Sequence, residues 1–302
     1  MAADKRAMYD GELRFDEPMS KHTSWRVGGP AQRYYRPLDI ADLAFYLSDL
    51  RPQECITWVG LGSNLLVRDG GVRGTVIATS GRLNNLKSVG STHNIVRAEA
   101  GVSCAKVARF SARLGLVGAE FLAGIPGTIG GALAMNAGAF GGETWAIVSQ
   151  VEVMSKNGAR KNRSRDEYEI GYRTVKGPVN EWFIAADFRL DSGDSEQASQ
   201  KIRGLLAKRS QTQPTQLPNA GSVFRNPKQD YSARLIEACG LKGHTIGGAC
   251  VSEKHANFII NTGNATARDI ERLILEIQKV VLRNEGVLLE PEVRIVGEAQ
   301  IL

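Results

Sequence analysis

The stretch from Glu120 to Glu143 limits the possible folds of this chain more than any other segment. It reads EFLAGIPGTIGGALAMNAGAFGGE, carries seven glycines from Gly124 to Gly142, and is charged only at its two ends. A run this rich in glycine and alanine exposes backbone, and N–H groups freed by glycine can converge on an anion such as a pyrophosphate. The alternative is a tightly packed glycine corner that holds no ligand.

Length and composition indicate a globular protein of more than one unit. With 302 residues, of which 42% are hydrophobic and 23% charged, the chain is expected to form two or three units with a large core. Its net charge of +6 suits an anionic small ligand, a nucleic acid or neither. The most basic stretch, residues 154–165, flanks an Asn157-Gly158 hairpin signal, which favours a solvated hairpin tip over a nucleic-acid contact.

The spacing of cysteine and histidine indicates neither a metal site nor a disulfide framework. The four cysteines contain no CxxC pair and the four histidines form no HxxxH or HExxH pattern, which suits a reducing compartment. The N-terminus has no apolar core of a secretory signal, and no apolar run reaches the roughly 18 residues that a membrane span needs. We therefore expect a cytoplasmic protein without a metal ion.

Capping residues and apolar periodicity predict the secondary structure. Asp39 and Ser103 are N-cap residues, and Thr266 with Asp269 makes a capping-box-like start to an apolar helix face that Gly286 ends. Helices are predicted at 39–50, 103–114, 197–209, 232–239 and 266–286. Strands are predicted at 56–59, 65–67, 75–79, 94–100, 146–155, from 160 onward, 182–190, 249–251, 256–260 and 287–296. Residues 1–20 are expected to be a polar lead-in with one short helix followed by disorder.

The loop from Gly60 to Asn64, GLGSN, invites comparison with a dinucleotide-binding fingerprint. The Rossmann pattern requires a third glycine and a helix directly after the turn. Here Leu65 occupies the position of the third glycine, and strand-like residues follow. The sequence therefore argues against a Rossmann fold, although Asn64 and the loop N–H groups could still hold a phosphate.

Three ionisable or hydroxyl groups lie among apolar or glycine neighbours. Arg173 follows the sequence IGY, Ser222 follows a glycine, and Glu292 lies in LEPEV. Glu290 and Glu292 are expected to share one strand face, unless Pro291 breaks the alternation. Each group alone is more often structural. A serine without a GxSxG elbow or a His/Asp pair is a poor nucleophile, and its hydroxyl could donate a proton only to a strongly basic intermediate.

An ordered set of motifs extends over roughly residues 20–297. They are TSWRVGG from Thr23, GLGSNLL from Gly60, AGIPGTIGG from Ala123, MNAGAFGGE from Met135, YR from Tyr172, GSVFRNP from Gly221, GGA from Gly247, KHAN from Lys254 and LEPEVR from Leu289. Together they resemble the UDP-N-acetylenolpyruvoylglucosamine reductase family, also called UDP-N-acetylmuramate dehydrogenases, which complete UDP-N-acetylmuramate for bacterial peptidoglycan. Some members carry, between the arginine and serine motifs, a segment with a tyrosine that closes over the nucleotide. Only about fifty residues separate Arg173 from Ser222, so the chain resembles the shorter subclass without that segment.

The resemblance implies an α+β fold that is not a Rossmann fold. A two-part FAD-binding region of the vanillyl-alcohol-oxidase type would be followed by a C-terminal α+β substrate-binding domain. On this basis residues 1–20 are a lead-in and 21–85, joined by 291–302, form the first FAD-binding subdomain. Residues 86–195 then form the second subdomain and 196–290 the substrate-binding domain.

The resemblance also implies the reaction. NADPH reduces tightly bound FAD, and flavin N5 delivers hydride to C3 of the enolpyruvyl group of UDP-N-acetylenolpyruvoylglucosamine. Ser222 matches the family's proton donor to C2, which is basic enough in the intermediate to accept a proton from serine. Arg173 matches the arginine that stabilises the charge developing at C2 and the carboxylate. Glu292 matches a glutamate that assists the enolate-like state, so it is expected to have a raised pKa or a direct partnership with Arg173.

Contacts to the cofactor and the substrate are implied in the same way. The residues expected against FAD are Gly60, Leu61, Gly62, Ser63, Asn64, Leu65, Ala123, Gly124, Ile125, Pro126, Gly127, Thr128, Gly130, Gly131, Asn136, Ala137 and Gly138. The residues expected against the substrate are Arg225, Asn226 and His255, and His255 could equally be a satisfied buried histidine. The partners are then small molecules, without nucleic acid or membrane, and a monomer is expected. The alternatives are a flavin oxidase of the same fold with another substrate and a non-catalytic nucleotide-binding protein.

Overall fold

The computed structural model describes residues 8–90 and 94–300. The helices are α1 (Ile40–Asp49), α2 (Cys104–Arg113), α3 (Ile129–Met135), α4 (Ser195–Thr212), α5 (Ser232–Ala238) and α6 (Ala267–Glu285). The strands are β1 (Glu12–Pro18), β2 (Pro30–Arg36), β3 (Ile56–Val59), β4 (Leu65–Val67), β5 (Val72–Ala78), β6 (Leu86–Val89), β7 (Ile95–Glu99), β8 (Leu116–Val117), β9 (Gly138–Ala139), β10 (Gly142–Glu143), β11 (Val148–Ser155), β12 (Arg160–Ser164), β13 (Glu169–Gly171), β14 (Thr174–Lys176), β15 (Glu181–Arg189), β16 (Asp191–Ser192), β17 (Thr245–Ile246), β18 (Ala249–Val251), β19 (Ile259–Asn261) and β20 (Arg294–Val296). The α+β class is confirmed, and strand β4 after the GLGSN loop agrees with the rejection of a Rossmann fold.

The chain forms two compact units. Unit 1 comprises Met1–Arg14, Arg33–Leu61 and Gly74–Lys208. Unit 2 comprises Phe15–Gln32, Gly62–Arg73 and Arg209–Leu302. The division into the segments 1–20, 21–85, 86–195 and 196–290 stays a prediction.

A five-stranded antiparallel sheet forms the main core of unit 1, in the order β12-β11-β15-β7-β6. The predicted hairpin between β11 and β12 is confirmed, with Gly158 in its turn at a φ of +81°. Ser103 caps α2, as predicted, by accepting the backbone N–H of Lys106. The apolar face of α2, the buried residues of α3 and the inner face of the sheet form one core cluster around Trp145.

Helix α1 begins at the predicted cap. Asp39 accepts the backbone N–H of Asp42 at 2.9 Å, and the buried Leu43 and Leu47 pack in a second apolar cluster of unit 1. A four-stranded sheet has the order β1-β2-β5-β3, in which β3 and β5 are parallel.

The expectation for residues 1–20 is wrong in the part of that segment that the structure describes. Glu12–Pro18 is strand β1, not helix or disorder. The buried carboxylate of Asp42 accepts the backbone N–H groups of Asp10 and Gly11 and so holds the chain ahead of the strand. Leu13 and Phe15 alternate with charged residues, which is a strand period that the sequence reasoning missed. Residues 1–7 lie outside the described residues.

Unit 2 is organised around α6. Thr266 and Asp269 form the predicted capping box, and Gly286 ends the helix at a φ of +70°. The buried face of α6 packs in the unit's core with α5 and the antiparallel sheet β17-β18-β19. Strand β20 pairs in parallel with β4, which places Arg294 opposite Leu65.

Two predicted strands are wrong in extent and one helix was missed. Of the predicted strand 287–296, only Arg294–Val296 is a strand. The predicted strand 256–260 is observed later in the chain, at Ile259–Asn261. The glycine run contains helix α3, Ile129–Met135. Four consecutive apolar residues from Ala132 favour a helix there, but Gly130 and Gly131 have a low helix propensity, so the sequence did not predict it.

Two negative observations apply to the described ranges 8–90 and 94–300. Within them, no helix is sufficiently long and apolar to cross a membrane. In the same ranges, no three histidine, cysteine or acidic side chains form a group that could hold a metal ion. The cysteines Cys55, Cys104, Cys239 and Cys250 are free thiols.

Candidate active site

Ser222 lies at a sharp turn in unit 2. Gly221 has a φ of +73°, a left-handed value that favours glycine, and Val223 and Phe224 are buried. Ser222 itself is half-buried, and its hydroxyl has no hydrogen-bond partner among residues 8–90 and 94–300. The hydroxyl is therefore available to a ligand.

The structure brings Glu292 beside this turn. The backbone N–H of Glu292 donates to the carbonyl of Val223 at 2.7 Å, and the N–H of Arg225 donates to the carbonyl of Glu290 at 2.9 Å. Between these two bonds, Phe224 and Pro291 form an isolated antiparallel bridge. The structure follows the alternative given for Pro291: pairing is limited to an isolated bridge, residues 289–292 form no strand, and the two glutamates share no strand face. Glu292 is half-buried, whereas Glu290 is exposed.

Asn64 lies on the other side of Glu292. Its side-chain amide donates to the carbonyl of Glu292 at 3.1 Å, and its main-chain carbonyl accepts the N–H of Arg294 at 3.0 Å.

Gly62, in the same loop, is packed so tightly that an added Cβ would lie 2.0 Å from the carbonyl oxygen of His22. Protein contacts thus require glycine at position 62, and the predicted contacts of Gly62, Ser63, Asn64 and Leu65 with FAD stay predictions.

The FRNP run after Ser222 ends in a helix start. The side-chain oxygen of the exposed Asn226 accepts the backbone N–H of Ser232, the first residue of α5, at 3.1 Å. The hydroxyl of Ser232 donates to the carbonyl of the half-buried Arg225. These bonds fix the direction in which the chain leaves the serine turn.

His255 is half-buried in the same unit. Its Nδ1 accepts the backbone N–H of Asn257 at 3.3 Å, so the hydrogen of the neutral ring resides on Nε2, which can donate. The ring meets Phe258 edge-on, with 4.8 Å between centroids. Burial lowers the pKa of His255 below its ordinary 6.5, and the Lys242 cation acts in the same direction. A neutral donor at this position is compatible with either predicted role.

Arg173 belongs to unit 1, in the turn of the β13–β14 hairpin. It has a φ of +54°, a left-handed value that is uncommon for arginine. Its Nη2 donates to the carbonyl of Gly138 at 3.1 Å, and its guanidinium carbon lies 5.7 Å from the centre of the Tyr172 ring. The hairpin therefore holds the arginine against the glycine run, in an unusual backbone conformation of the kind that clusters at functional sites.

Asn136 connects the glycine run to this hairpin. It ends α3 at a φ of +43° and is 1% exposed. Its amide nitrogen donates to the carbonyl of Gly171 at 3.1 Å and to Glu143 at 3.0 Å, while its oxygen accepts the N–H of Trp145. The side chain thus binds protein on every polar atom, and its predicted contact with FAD stays a prediction.

Comparisons with known proteins decide the family. A family model for the C-terminal domain of UDP-N-acetylenolpyruvoylglucosamine reductase matches residues 213–296, and a model for an FAD binding domain matches residues 31–162. The reductase of Methylococcus capsulatus is 60% identical over 284 residues, which cover 94% of this chain and 93% of the relative. The chain belongs to the UDP-N-acetylenolpyruvoylglucosamine reductase family.

Other members of the reductase family support the same conclusion. The protein of Alkalilimnicola ehrlichii is 55% identical over 300 residues, covering 99% of this chain and all of the relative. The crystal structure of the Thermus caldophilus reductase matches with a TM-score of 0.80 and 30% identity, covering 94% of this chain and 98% of that chain. The likeness thus extends over sequence and fold along almost the whole chain.

The glycine run of this family member is partly a packed corner and partly open backbone. An added Cβ at Gly124 would lie 2.4 Å from the Phe140 ring, and one at Gly142 would lie 2.5 Å from the Phe121 ring. Gly131 is exposed, and nothing approaches its Cβ position closer than 3.8 Å. The packed-corner interpretation therefore applies at Gly124 and Gly142, and a ligand against the open backbone at Gly131 stays a prediction.

Thr128 is the residue of the run that best fits a bound cofactor. It is 2% exposed and precedes the first residue of α3, yet its hydroxyl has no hydrogen-bond partner within the described part of the chain. An added Cβ at Gly60 would lie 2.3 Å from that hydroxyl, so the hydroxyl packs against the backbone of Gly60 and only glycine fits at position 60. An unpartnered buried hydroxyl is costly unless a ligand completes it. The residues of unit 1 thus fit the FAD that the family's cofactor-domain model implies.

Proposed function

We propose that this protein reduces the enolpyruvyl group of UDP-N-acetylenolpyruvoylglucosamine to give UDP-N-acetylmuramate for peptidoglycan synthesis. FAD is the bound cofactor and NADPH the hydride donor. The observation that carries the proposal is the 60% identity to a reductase of this name over 94% of the chain. The free hydroxyl of Ser222 next to Glu292 supports it, because the reaction needs a proton donor beside a second catalytic group.

Bound FAD supplies the hydride chemistry, and the protein supplies the proton and the electrostatic environment. In our proposal Ser222 donates its proton to C2 of the substrate. A serine hydroxyl is a very weak acid, so it can serve only where carbanion character develops on the acceptor. The turn at Gly221 presents the hydroxyl without a competing acceptor from residues 8–90 or 94–300. General-acid catalysis of this kind contributes about 10²–10⁴-fold to a rate.

Arg173 and Glu292 are assigned to the charge that develops at C2 and at the adjacent carboxylate. The guanidinium of Arg173 is planar and permanently charged, which suits a carboxylate. Its bond to the Gly138 carbonyl orients one edge of the group. Glu292 assists the enolate-like state, and its raised pKa or partnership with Arg173 stays part of this proposal.

Thr128 gives a test of cofactor binding that does not depend on turnover. We expect Thr128→Val to leave the thermal stability of the FAD-free protein unchanged or slightly raised, since the hydroxyl has no partner to lose among the residues that the structure describes. Its affinity for FAD should fall about tenfold, the equivalent of one hydrogen bond of ~1.4 kcal/mol. Titration with FAD followed by flavin fluorescence measures the affinity, and a thermal scan measures the stability.

The matched control for that change is Thr75→Val. Thr75 is also fully buried in unit 1, but its hydroxyl donates to Glu54 at 2.9 Å. The control should lower the stability by about 1 kcal/mol and leave the affinity for FAD unchanged. An unchanged affinity in Thr128→Val as well would remove Thr128 from the cofactor site.

Arg225, Asn226 and His255 are proposed to contact the nucleotide part of the substrate. The neutral His255 would donate through Nε2. Because burial and Lys242 lower the pKa of His255, the unfolded chain binds more protons than the folded chain when the pH falls below about 6.5. The stabilising contribution of the neutral ring is therefore complete above pH 6.5 and is lost as the pH falls toward the lowered folded-state pKa.

His255→Gln is expected to remove this pH dependence. As the pH falls from 7.5 to 5.5, the melting temperature of the variant should rise relative to that of the original protein. His22, His93 and His244 are present in both proteins, so the comparison isolates position 255. A difference in melting temperature that stays constant over this pH range would contradict the neutral, buried state of His255.

The test of the proposed function is one anaerobic titration. A yellow protein should bleach on addition of NADPH and recover its colour only on addition of the enolpyruvyl nucleotide. A flavin oxidase of the same fold would recover colour with oxygen at a comparable rate and not with the nucleotide. A colourless protein that takes up no FAD would contradict both functions.

We further propose that the protein acts as a monomer in the cytoplasm, with small molecules as its only partners. The anionic nucleotide and NADPH suit the net charge of +6. Light scattering at micromolar concentration tests the monomer, and a dimeric mass would contradict it.

A further inference from the structure

Asn257 occupies the place of a neighbouring strand beside the serine turn. Its side-chain oxygen accepts the backbone N–H of Phe224 at 2.9 Å, and its side-chain nitrogen donates to the carbonyl of Phe224 at 2.8 Å. Its main-chain carbonyl accepts the N–H of Val223 at 2.9 Å. One side-chain amide thus satisfies both backbone groups of one residue, which is the pairing that an antiparallel strand would provide.

The opposite edge of the same segment is also fixed. The carbonyl of Val223 accepts the N–H of Glu292, and the N–H of Arg225 donates to the carbonyl of Glu290. Residues 223–225 therefore lie between Asn257 on one edge and 290–292 on the other. The two edges bind different backbone groups. Asn257 binds the N–H of Val223 and both groups of Phe224, whereas 290–292 bind the carbonyl of Val223 and the N–H of Arg225.

The surroundings of these bonds are dry. Asn257 is 3% exposed, Val223 0% and Phe224 1%. In such surroundings a hydrogen bond is stronger than in water, and a backbone group without a partner is costly. Ser222 is half-buried and directly precedes the fixed segment 223–225, so the position of its hydroxyl depends on bonds that the residue itself does not make.

We propose that Asn257 is a positioning residue that, through Phe224, fixes Ser222 where it delivers its proton. This role rests on the proposed function of Ser222, and Asn257 acts on the reaction only through the backbone of 223–224. A displacement of the donor by about 1 Å is enough to slow such a step by roughly 10²-fold. The role therefore predicts that variants of Asn257 deliver the proton more slowly than a variant elsewhere in unit 2 that loses a comparable amount of stability.

Two substitutions of Asn257 test this role. Asn257→Asp keeps the volume and the acceptor, but it sets an oxygen against the carbonyl of Phe224 where the donor was. Asn257→Ser keeps one hydrogen-bonding group on a smaller side chain, and it is used if the carboxylate variant does not fold.

Asn261→Asp is the matched control. Asn261 is 7% exposed in the same unit, its amide nitrogen donates to the carbonyl of Trp25 at 2.9 Å, and its oxygen accepts the N–H groups of Gly263 and Ala265. The same chemical change thus removes the same kind of bond, at a position without a bond to residues 222–225.

The measurements use the FAD-loaded enzyme. FAD content and the rate of reduction by NADPH should be unchanged in all variants. Reoxidation by the enolpyruvyl nucleotide should slow about tenfold or more in the Asn257 variants, with a larger solvent deuterium isotope effect because proton delivery becomes limiting. Amide hydrogen exchange at Val223 and Phe224, which is independent of turnover, should accelerate in the Asn257 variants and not in Asn261→Asp.

Two results would overturn the positioning role. One is an equal slowing of reoxidation in Asn257→Asp and Asn261→Asp, and the other is an isotope effect in the Asn257 variants that matches that of the original protein. Either would make Asn257 a residue of stability alone. Failure of the unmodified enzyme to be reoxidised by the nucleotide would instead contradict the proposed function itself, so the two failures are distinguishable.

Discussion

Replacing Ser222 by alanine is expected to leave reduction of the enzyme by NADPH intact and to slow its reoxidation by the enolpyruvyl nucleotide by about 10²–10⁴-fold. The reason is that the two half-reactions make different demands on the protein. Reduction by NADPH requires no proton at substrate C2, whereas reoxidation by the nucleotide does. The hydroxyl makes no protein hydrogen bond in the described ranges, so its removal should cost little stability. Anaerobic stopped-flow spectroscopy at the flavin absorbance measures both rates.

Ser222→Cys provides the control for the chemistry of the donor. A thiol is a stronger acid than a hydroxyl, with an ordinary pKa of about 8.5, and it occupies nearly the same place. We expect reoxidation in Ser222→Cys to be faster than in Ser222→Ala, at similar thermal stability. Unimpaired reoxidation in the alanine variant would show that another group delivers the proton.

The sequence predicted the parts of the fold that depend on neighbouring residues. Helix α2 begins after Ser103 and α6 after Thr266, because their side chains satisfy backbone N–H groups within the same turn. The Asn157-Gly158 hairpin is local in the same sense. Such signals need no knowledge of the rest of the molecule.

The parts that depend on distant partners could not be predicted in this way. The LEPEV run looks like a strand, but its neighbour is the short segment 223–225, more than 60 residues away in the chain, and Pro291 limits the pairing. Asn136 and Asn257 give no local signal beyond a polar residue among small or apolar neighbours. Their motifs mark them by resemblance, but their structural role appears only when the carbonyl of Gly171 and the backbone of Phe224 are seen to depend on them.

The candidate site was predicted by resemblance more than by residue chemistry. Ser222 alone was a poor candidate, since a lone serine has no activating partner. The structure adds the free hydroxyl and the adjacent Glu292, which residue types could not reveal. The glycine run shows the same limit, because composition could not separate packing at Gly124 from open backbone at Gly131.

Replacing Arg173 by methionine is expected to slow reoxidation by the enolpyruvyl nucleotide by about 10²–10³-fold, the usual effect of removing one group that stabilises transition-state charge. Arg173→Lys should have a smaller effect, since lysine keeps the charge but loses the planar fork. Both variants face the same backbone demand at a φ of +54°, so their difference reports the side chain. The rate of reduction by NADPH and the FAD content should be unchanged.

Arg163→Met separates this effect from a general loss of stability. Arg163 also lies in unit 1, where it pairs with Glu181 at 2.6 Å and with Glu167, and it should change stability without changing reoxidation. The dependence on substrate distinguishes binding from catalysis, because loss of a contact made only in the transition state lowers kcat and kcat/KM equally. If Arg173→Met instead raised KM alone, the guanidinium would bind the ground-state carboxylate and the charge at C2 would require another stabilising group.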